Sequence, residues 1–320
     1  MPLLPPSSFP NAWYMRSGHM ETIVPSLRRK VPVPYVRERI STPDDDFLDL
    51  DWLTQGSDKL LVVTHGLEGS SERHYVAGTA KAMHAQGWDV LAWNCRSCSG
   101  EMNRQFRLYH HGETEDIHHV MQHALAQKKY TTVALVGYSM GGSITFRYLA
   151  NYADQLPPSV KAGVAVSTPV DLKQSAAELE KRSNAFYRRR FINKLRKKLY
   201  IKAEEYPGRI DVERLAKVKT FAEFDTYFSA PMFGFADADD FYANASALPH
   251  LPQLTVPSLL LNATNDPMLS ESCYPKALAQ THPYLHLEIT DNGGHTGFWR
   301  PGDEYTFADK RIVQWLKEVI

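Results

Sequence analysis

Three side chains in this sequence have the types and the settings for nucleophilic chemistry. Ser139 stands in Gly137-Tyr-Ser-Met-Gly141, immediately after the apolar run 131–136. The pattern G-x-S-x-G, with a strand before it and a helix after it, marks a bend that lifts a serine hydroxyl above a sheet. A serine hydroxyl is a weak nucleophile and needs a base. Asp266 follows the apolar run 258–262 in Asn262-Ala-Thr-Asn-Asp-Pro267. His295 follows the alternating run 285–290 in Asp291-Asn-Gly-Gly-His-Thr-Gly-Phe298. Taken singly, these are a glycine turn, an Asp-Pro turn and a loop histidine. Together they give serine, acid and histidine in an order that such sheets use, each just past a strand.

The roles follow from where the proton must go. His295 accepts the Ser139 proton and returns it to the leaving group, and Asp266 holds the imidazole tautomer. The tetrahedral intermediate carries an oxyanion, which calls for two backbone N–H groups. Met140, next after the serine, is one expected donor. Leu67, in His65-Gly-Leu-Glu-Gly69 after the run 59–64, is the other. His65 reads as a structural neighbour of the site.

The elements that must position these residues can be traced along the chain. Residues 1–34 hold seven prolines and read as irregular surface wrapping. Tyr35–Ile40 and Phe47–Leu53 read as a hairpin around Thr42-Pro-Asp-Asp-Asp46. Strands are expected at 59–64, 88–93, 131–136, 160–166, 258–262 and 285–290. Helices are expected at 73–86, 114–128, 143–153 and 303–319. The segment 171–245 is helical in character, aromatic and charged. Strand–helix alternation on both sides of it implies a doubly wound, mostly parallel sheet carrying a cap. The expected division is a core of 1–170 and 246–320 and a helical cap of 171–245.

Composition narrows the class. The chain has 320 residues, 43% of them apolar, enough for a sizeable core. Lysine plus arginine equals aspartate plus glutamate at 36 each, so global charge gives no argument for nucleic acid. Three cysteines make no disulfide framework and suit a reducing compartment. With neither a secretory signal nor an apolar span in view, the expected location is the cytoplasm.

Across these motifs the chain resembles the YheT-like esterase family of the α/β-hydrolase superfamily, which is related to eukaryotic abhydrolase-domain lipases. The shared stretches are Gly18-His-Met-Glu-Thr-Ile23, His65-Gly-Leu-Glu-Gly-Ser70, Cys98-Ser-Gly100, Tyr109-His-His-Gly-Glu-Thr-Glu-Asp116, Gly137-Tyr-Ser-Met-Gly-Gly142, Asn265-Asp-Pro267 and Gly293-Gly-His-Thr-Gly-Phe298. The resemblance implies an α/β-hydrolase fold, ester hydrolysis without a cofactor, and a triad on Ser139, Asp266 and His295. The family usually has two aspartates before the proline; here the first is Asn265, which leaves Asp266 as the acid. It often has Arg-Gly-Cys where this chain has Arg96-Ser97-Cys98.

Three further features admit more than one reading. Residues 181–202 hold ten lysines and arginines and no acid, with Tyr187, Phe191, Leu195 and Leu199 on one helical face. The preferred reading is a lid helix with solvated charges; the alternative is contact with an anionic lipid surface or an acidic substrate. His110, His111, His118, His119 and His123 lie near Glu113, Glu115 and Asp116, but no third metal ligand is fixed by spacing, so no metal is expected. Cys95 and Cys98 read as structural thiols. The expected function is a serine esterase acting on small-molecule esters of short or medium acyl chain. A thioesterase, lipase or amidase on the same triad is the alternative, as is a non-catalytic binding protein of this fold.

Overall fold

The computed structural model describes residues 3–5, 7, 9, 15 and 17–320. Its centre is an eight-stranded sheet in the order β1-β2-β4-β3-β5-β6-β7-β8. The strands are β1 (Val36–Ser41), β2 (Phe47–Leu53), β3 (Lys59–Thr64), β4 (Asp89–Asn94), β5 (Thr132–Tyr138), β6 (Val160–Val166), β7 (Ser258–Ala263) and β8 (Leu285–Thr290). β2 is antiparallel to both β1 and β4; every pairing from β4 to β8 is parallel.

The apolar runs of the central strands follow from burial on both faces. Along β3, Leu60 and Val62 pack into one layer while Leu61 and Val63 pack into the other. The first layer contains α3 (Glu115–Gln127) and α4 (Met140–Asn151); the second contains α2 (His74–His84) and α12 (Phe307–Val319). Gly87, at φ +82°, ends the turn after α2 where an L side chain is disfavoured. Asp309 completes a capping box with Thr306 and so fixes the start of α12, four residues later than the sequence suggests.

Between β6 and β7 the chain forms α5 (Leu172–Glu180), α6 (Ala185–Glu205), α7 (Val212–Lys217), α8 (Phe221–Phe224), α9 (Ala230–Phe233) and α10 (Ala238–Ala245). α8 and α9 are joined by a π-helical turn, Asp225–Ser229. A short helix, α11 (Lys276–Thr281), precedes β8.

The N-terminal segment corrects the expectation of irregular surface wrapping. Gly18–Arg28 is a helix, α1, capped by the Ser17 side chain. Pro25 lies inside it, and Glu21, Thr22 and Pro25 are buried. The earlier residues of that stretch lie partly outside the described ones; Leu3 and Ser7 bridge to Leu287 and Thr290 on the free edge of β8. No helix among the described residues is long and apolar enough to cross a membrane.

Candidate active site

Parallel strands deliver their following loops to one edge of the sheet. Ser139 directly follows β5, Leu67 lies three residues past β3, Asp266 three past β7 and His295 five past β8. Ser139 has φ +55° and ψ −123°, outside the regions an L residue favours. The crowding that enforces this bend is visible at the two flanking glycines. A Cβ on Gly137 would lie 2.1 Å from the Gly141 carbonyl oxygen, and one on Gly141 would lie 2.3 Å from that of Thr64. No side chain fits at either position, so the glycines serve the bend and not a loose turn. Helix α4 begins at Met140, three residues earlier than the sequence suggests, because the turn feeds straight into it.

The three expected side chains meet. His295 Nε2 is 2.8 Å from Ser139 Oγ. His295 Nδ1 is 2.9 Å from Asp266 Oδ2 and 3.1 Å from Oδ1. An ionised carboxylate only accepts, so Nδ1–H donates to Asp266 and the Nε2 lone pair faces the serine hydroxyl. Asp266 and His295 are both buried, and Asp266 Oδ1 also accepts from the Met268 N–H at 2.8 Å.

The two expected oxyanion donors are open. Met140 begins α4, where first-turn N–H groups lack helical partners. Neither its N–H nor that of Leu67 is engaged by another described residue. The Leu67 loop is held from both sides. Glu68, at φ +55°, donates its N–H to Tyr109 Oη at 2.9 Å. Its carbonyl accepts from Arg73 at 2.9 Å and Lys194 at 3.0 Å, and its carboxylate accepts from Lys198 at 2.6 Å. His65 is fully buried: Nε2 accepts from the Cys95 N–H at 3.1 Å, and Nδ1 donates to Gly66 O at 2.7 Å. Burial lowers its pKa to about 4, so it is neutral and structural.

Sequence reasoning missed the role of α1. Glu21 accepts from the Gly293 N–H and from Asn265 Nδ2 at 2.9 Å. Thr22 Oγ1 accepts from the His295 N–H at 2.8 Å. The loops bearing the acid and the histidine are thus fastened to a helix more than 240 residues upstream. The signal was present as Gly18-His-Met-Glu-Thr-Ile23, a shared stretch without an assigned task.

Ser139 lies where two cavities join. One, of about 980 Å³, is mainly apolar and is lined by Phe191, Leu195 and Leu199 of α6 and by Phe221, Phe224 and Phe228. Asp225 also lines it; burial raises its carboxyl pKa to about 6, against the pull of Ser229 and Tyr242. The second, of about 840 Å³, is lined by Thr22, Leu27, Arg73, His74, Arg190 and Lys194 among others. Leu67, Ser139, Phe191, Met268 and His295 border both.

A family model of the alpha/beta hydrolase fold matches residues 59–301. This chain belongs to the α/β-hydrolase family. It is 37% identical to the candidate esterase YheT of Escherichia coli (strain K12) over 307 residues, covering 93% of this chain and 89% of that one. It is 27% identical to phospholipase ABHD3 of Mus musculus, covering all of this chain and 80% of that one. Among solved structures, an esterase of Pyrococcus furiosus, Pf2001, has the same fold, with a TM-score of 0.60 over 99% of both chains at 16% identity.

Other sequence features of this α/β-hydrolase resolve in space. The cations of α6 are not uniformly solvated as the lid reading expected. Lys198 is 12% exposed and pairs with Glu68, and the Lys202 side chain is fully buried against the Asn103 carbonyl and Glu205. Arg196 donates to the Leu215 carbonyl at 3.0 Å. The histidines disperse: His119 meets the Ser41 carbonyl at 2.9 Å, His123 meets Glu38 at 3.0 Å, and His110 and His111 line the apolar cavity. Among the described residues no three His, Cys, Asp or Glu side chains converge as metal ligands. Cys95 and Cys98 are free thiols. Ser97, where the family often has glycine, takes φ +61° and accepts from the Asn103 N–H at 3.0 Å.

Proposed function

We propose that this chain is a serine esterase that cleaves carboxylic esters through an acyl-enzyme. The observation that carries the proposal is the unbroken contact from Ser139 Oγ to His295 Nε2 and from Nδ1 to Asp266, at the junction of the two cavities. Ser139 attacks the ester carbonyl while His295 takes its proton. The Met140 and Leu67 N–H groups stabilise the oxyanion. His295 then protonates the departing alcohol, and water repeats the sequence to free the acid. Asp266 keeps the imidazole oriented and stabilises its charged form.

The apolar cavity takes the acyl group, and the helices of 171–245 form a cap over the core of 1–170 and 246–320. Because that cap walls the cavity with aromatic rings, short or medium acyl chains fit this reading. The names of YheT and of ABHD3 point the same way for the reaction type. A thioester, amide or larger lipid ester would use the same groups. The test is turnover of acyl esters of graded length by the wild type and by Ser139→Ala. Hydrolysis by the wild type and a loss of at least about 10³-fold in the variant is expected. A folded Ser139→Ala protein with undiminished turnover would end the proposal.

A further inference from the structure

The second cavity at Ser139 differs in character from the apolar one. Arg73, Lys194 and Arg190 all line it, and none of the three lines the phenylalanine-walled chamber. Arg73 and Lys194 each donate to the Glu68 backbone carbonyl, which is neutral. The Glu68 carboxylate is committed to Lys198 and to Tyr109 Oη. The Arg190 guanidinium is exposed and has no hydrogen-bond or ion-pair partner among the described residues. Three cations therefore border one cleft, none within ion-pair distance of a carboxylate among the described residues.

Two further observations bear on the same cleft. Lys194 is held below its ordinary pKa, first by burial and then by repulsion from Arg73, with Arg190 and Lys198 adding to it against the pull of Glu68. His74, buried and lining the same cleft, has no partner at Nδ1. A buried polar atom without a partner costs about 1–3 kcal/mol unless a ligand or water satisfies it.

We infer that the cleft of Arg73, His74, Arg190 and Lys194 is the leaving-group subsite, and that it takes an alcohol bearing an anionic phosphate or carboxylate group. The inference rests on the esterase reading for its assignment of acyl and alcohol sides. An anion there gains charge-assisted hydrogen bonds from preformed donors. Arg190 and Lys194 of α6 thus face an acidic substrate, with Lys198 and Lys202 serving the fold instead.

A matched series tests it: 3-hydroxypropyl butyrate, its 3-phosphate, and 3-butyryloxypropanoate, which share an acyl group and differ in the distal charge. At low salt, kcat/KM for at least one anionic ester should exceed that of the neutral one by 10-fold or more, and whichever arm gains identifies phosphate or carboxylate. Arg190→Gln should reduce that ratio to below 3-fold, whereas Lys197→Gln, an exposed cation outside the cleft, should keep it. Equal rates for all three esters in the wild type would overturn the subsite and leave the esterase reading standing. Calorimetric titration of 3-hydroxypropyl phosphate and 3-hydroxypropanoate into the Ser139→Ala protein reads the same site without turnover. Saturable binding of at least one anion, weakened 5-fold or more by Arg190→Gln, supports the subsite even if no ester is cleaved, in which case the esterase reading alone fails. No detectable binding of either overturns the subsite.

Discussion

Glu21 and Asn265 are 244 positions apart in sequence, yet their side chains meet at 2.9 Å. The same carboxylate takes the Gly293 N–H, two residues before His295. One buried side chain therefore fastens the loops of both the proposed acid and the proposed base.

Removing that fastening has a predictable cost. Glu21→Ala leaves the Gly293 N–H and Asn265 Nδ2 without their buried acceptor, at about 1–3 kcal/mol each. Thermal unfolding should show a clear drop in Tm, and kcat/KM should fall because His295 loses its registration. Glu21→Gln keeps one acceptor oxygen and should recover part of both. An alanine variant with wild-type Tm and turnover would show that α1 does not hold the site.

Helix α6 also holds the loop of the proposed oxyanion donor Leu67. Lys198 of α6 reaches Glu68 at 2.6 Å, with side chains 12% and 6% exposed. Breaking a buried pair by removing one partner costs about 3–5 kcal/mol. Lys198→Met should lower urea stability by an amount in that range and, if the Leu67 N–H acts on the transition state as proposed, reduce kcat more than it raises KM. A change in KM alone would detach the loop from catalysis.

Much of this architecture is legible in the sequence, and the reasons are local. Strands β3, β5 and β7 read as continuous apolar runs because both faces are covered. The serine, acid and histidine read from turn chemistry just beyond strands. What does not read is whatever depends on long-range contact. Glu21 and Thr22 sit in a proline-rich stretch that reads as irregular wrapping, and only the folded chain makes it a helix and brings them to the His295 loop. The charges of α6 look like a solvated face; Lys198 and Lys202 turn inward because buried acceptors on other segments meet them. Asp225 looks like one more polar residue among phenylalanines, and only the cavity shows what it faces.

Acid should destabilise the protein before most of its carboxylates titrate, Asp225 being one exception. Burial holds the pKa of His65 near 4 and that of His74 near 3, both below the unfolded value of about 6.5. From pH 6.5 down to about 4 the unfolded chain binds protons that the folded chain refuses, so stability falls as pH falls. Each ring contributes a slope of up to about 1.4 kcal/mol per pH unit. Urea unfolding at pH 7.5 and pH 5 should show this loss; equal stabilities would mean that these rings are protonated in the fold.

Asp225 should restrain the acyl chain. Its pKa of about 6 leaves it largely ionised at pH 7.5, facing a cavity that is otherwise mainly apolar. Asp225→Asn removes that charge and should raise the kcat/KM ratio of octanoyl over acetyl ester by about 5–10-fold, or roughly 1–1.4 kcal/mol. In the wild type the same ratio should rise as pH drops through 6. An unchanged ratio in the variant would place the acyl chain elsewhere.

The central claim is that Ser139 is a nucleophile made reactive by His295. Intact-mass analysis after exposure to a fluorophosphonate, followed by peptide mapping, tests it most directly. A single covalent adduct on Ser139, formed by the wild type and abolished in both Ser139→Ala and a folded His295→Ala protein, is the predicted result. A folded wild type that remains unmodified, or an adduct on another residue, would contradict it.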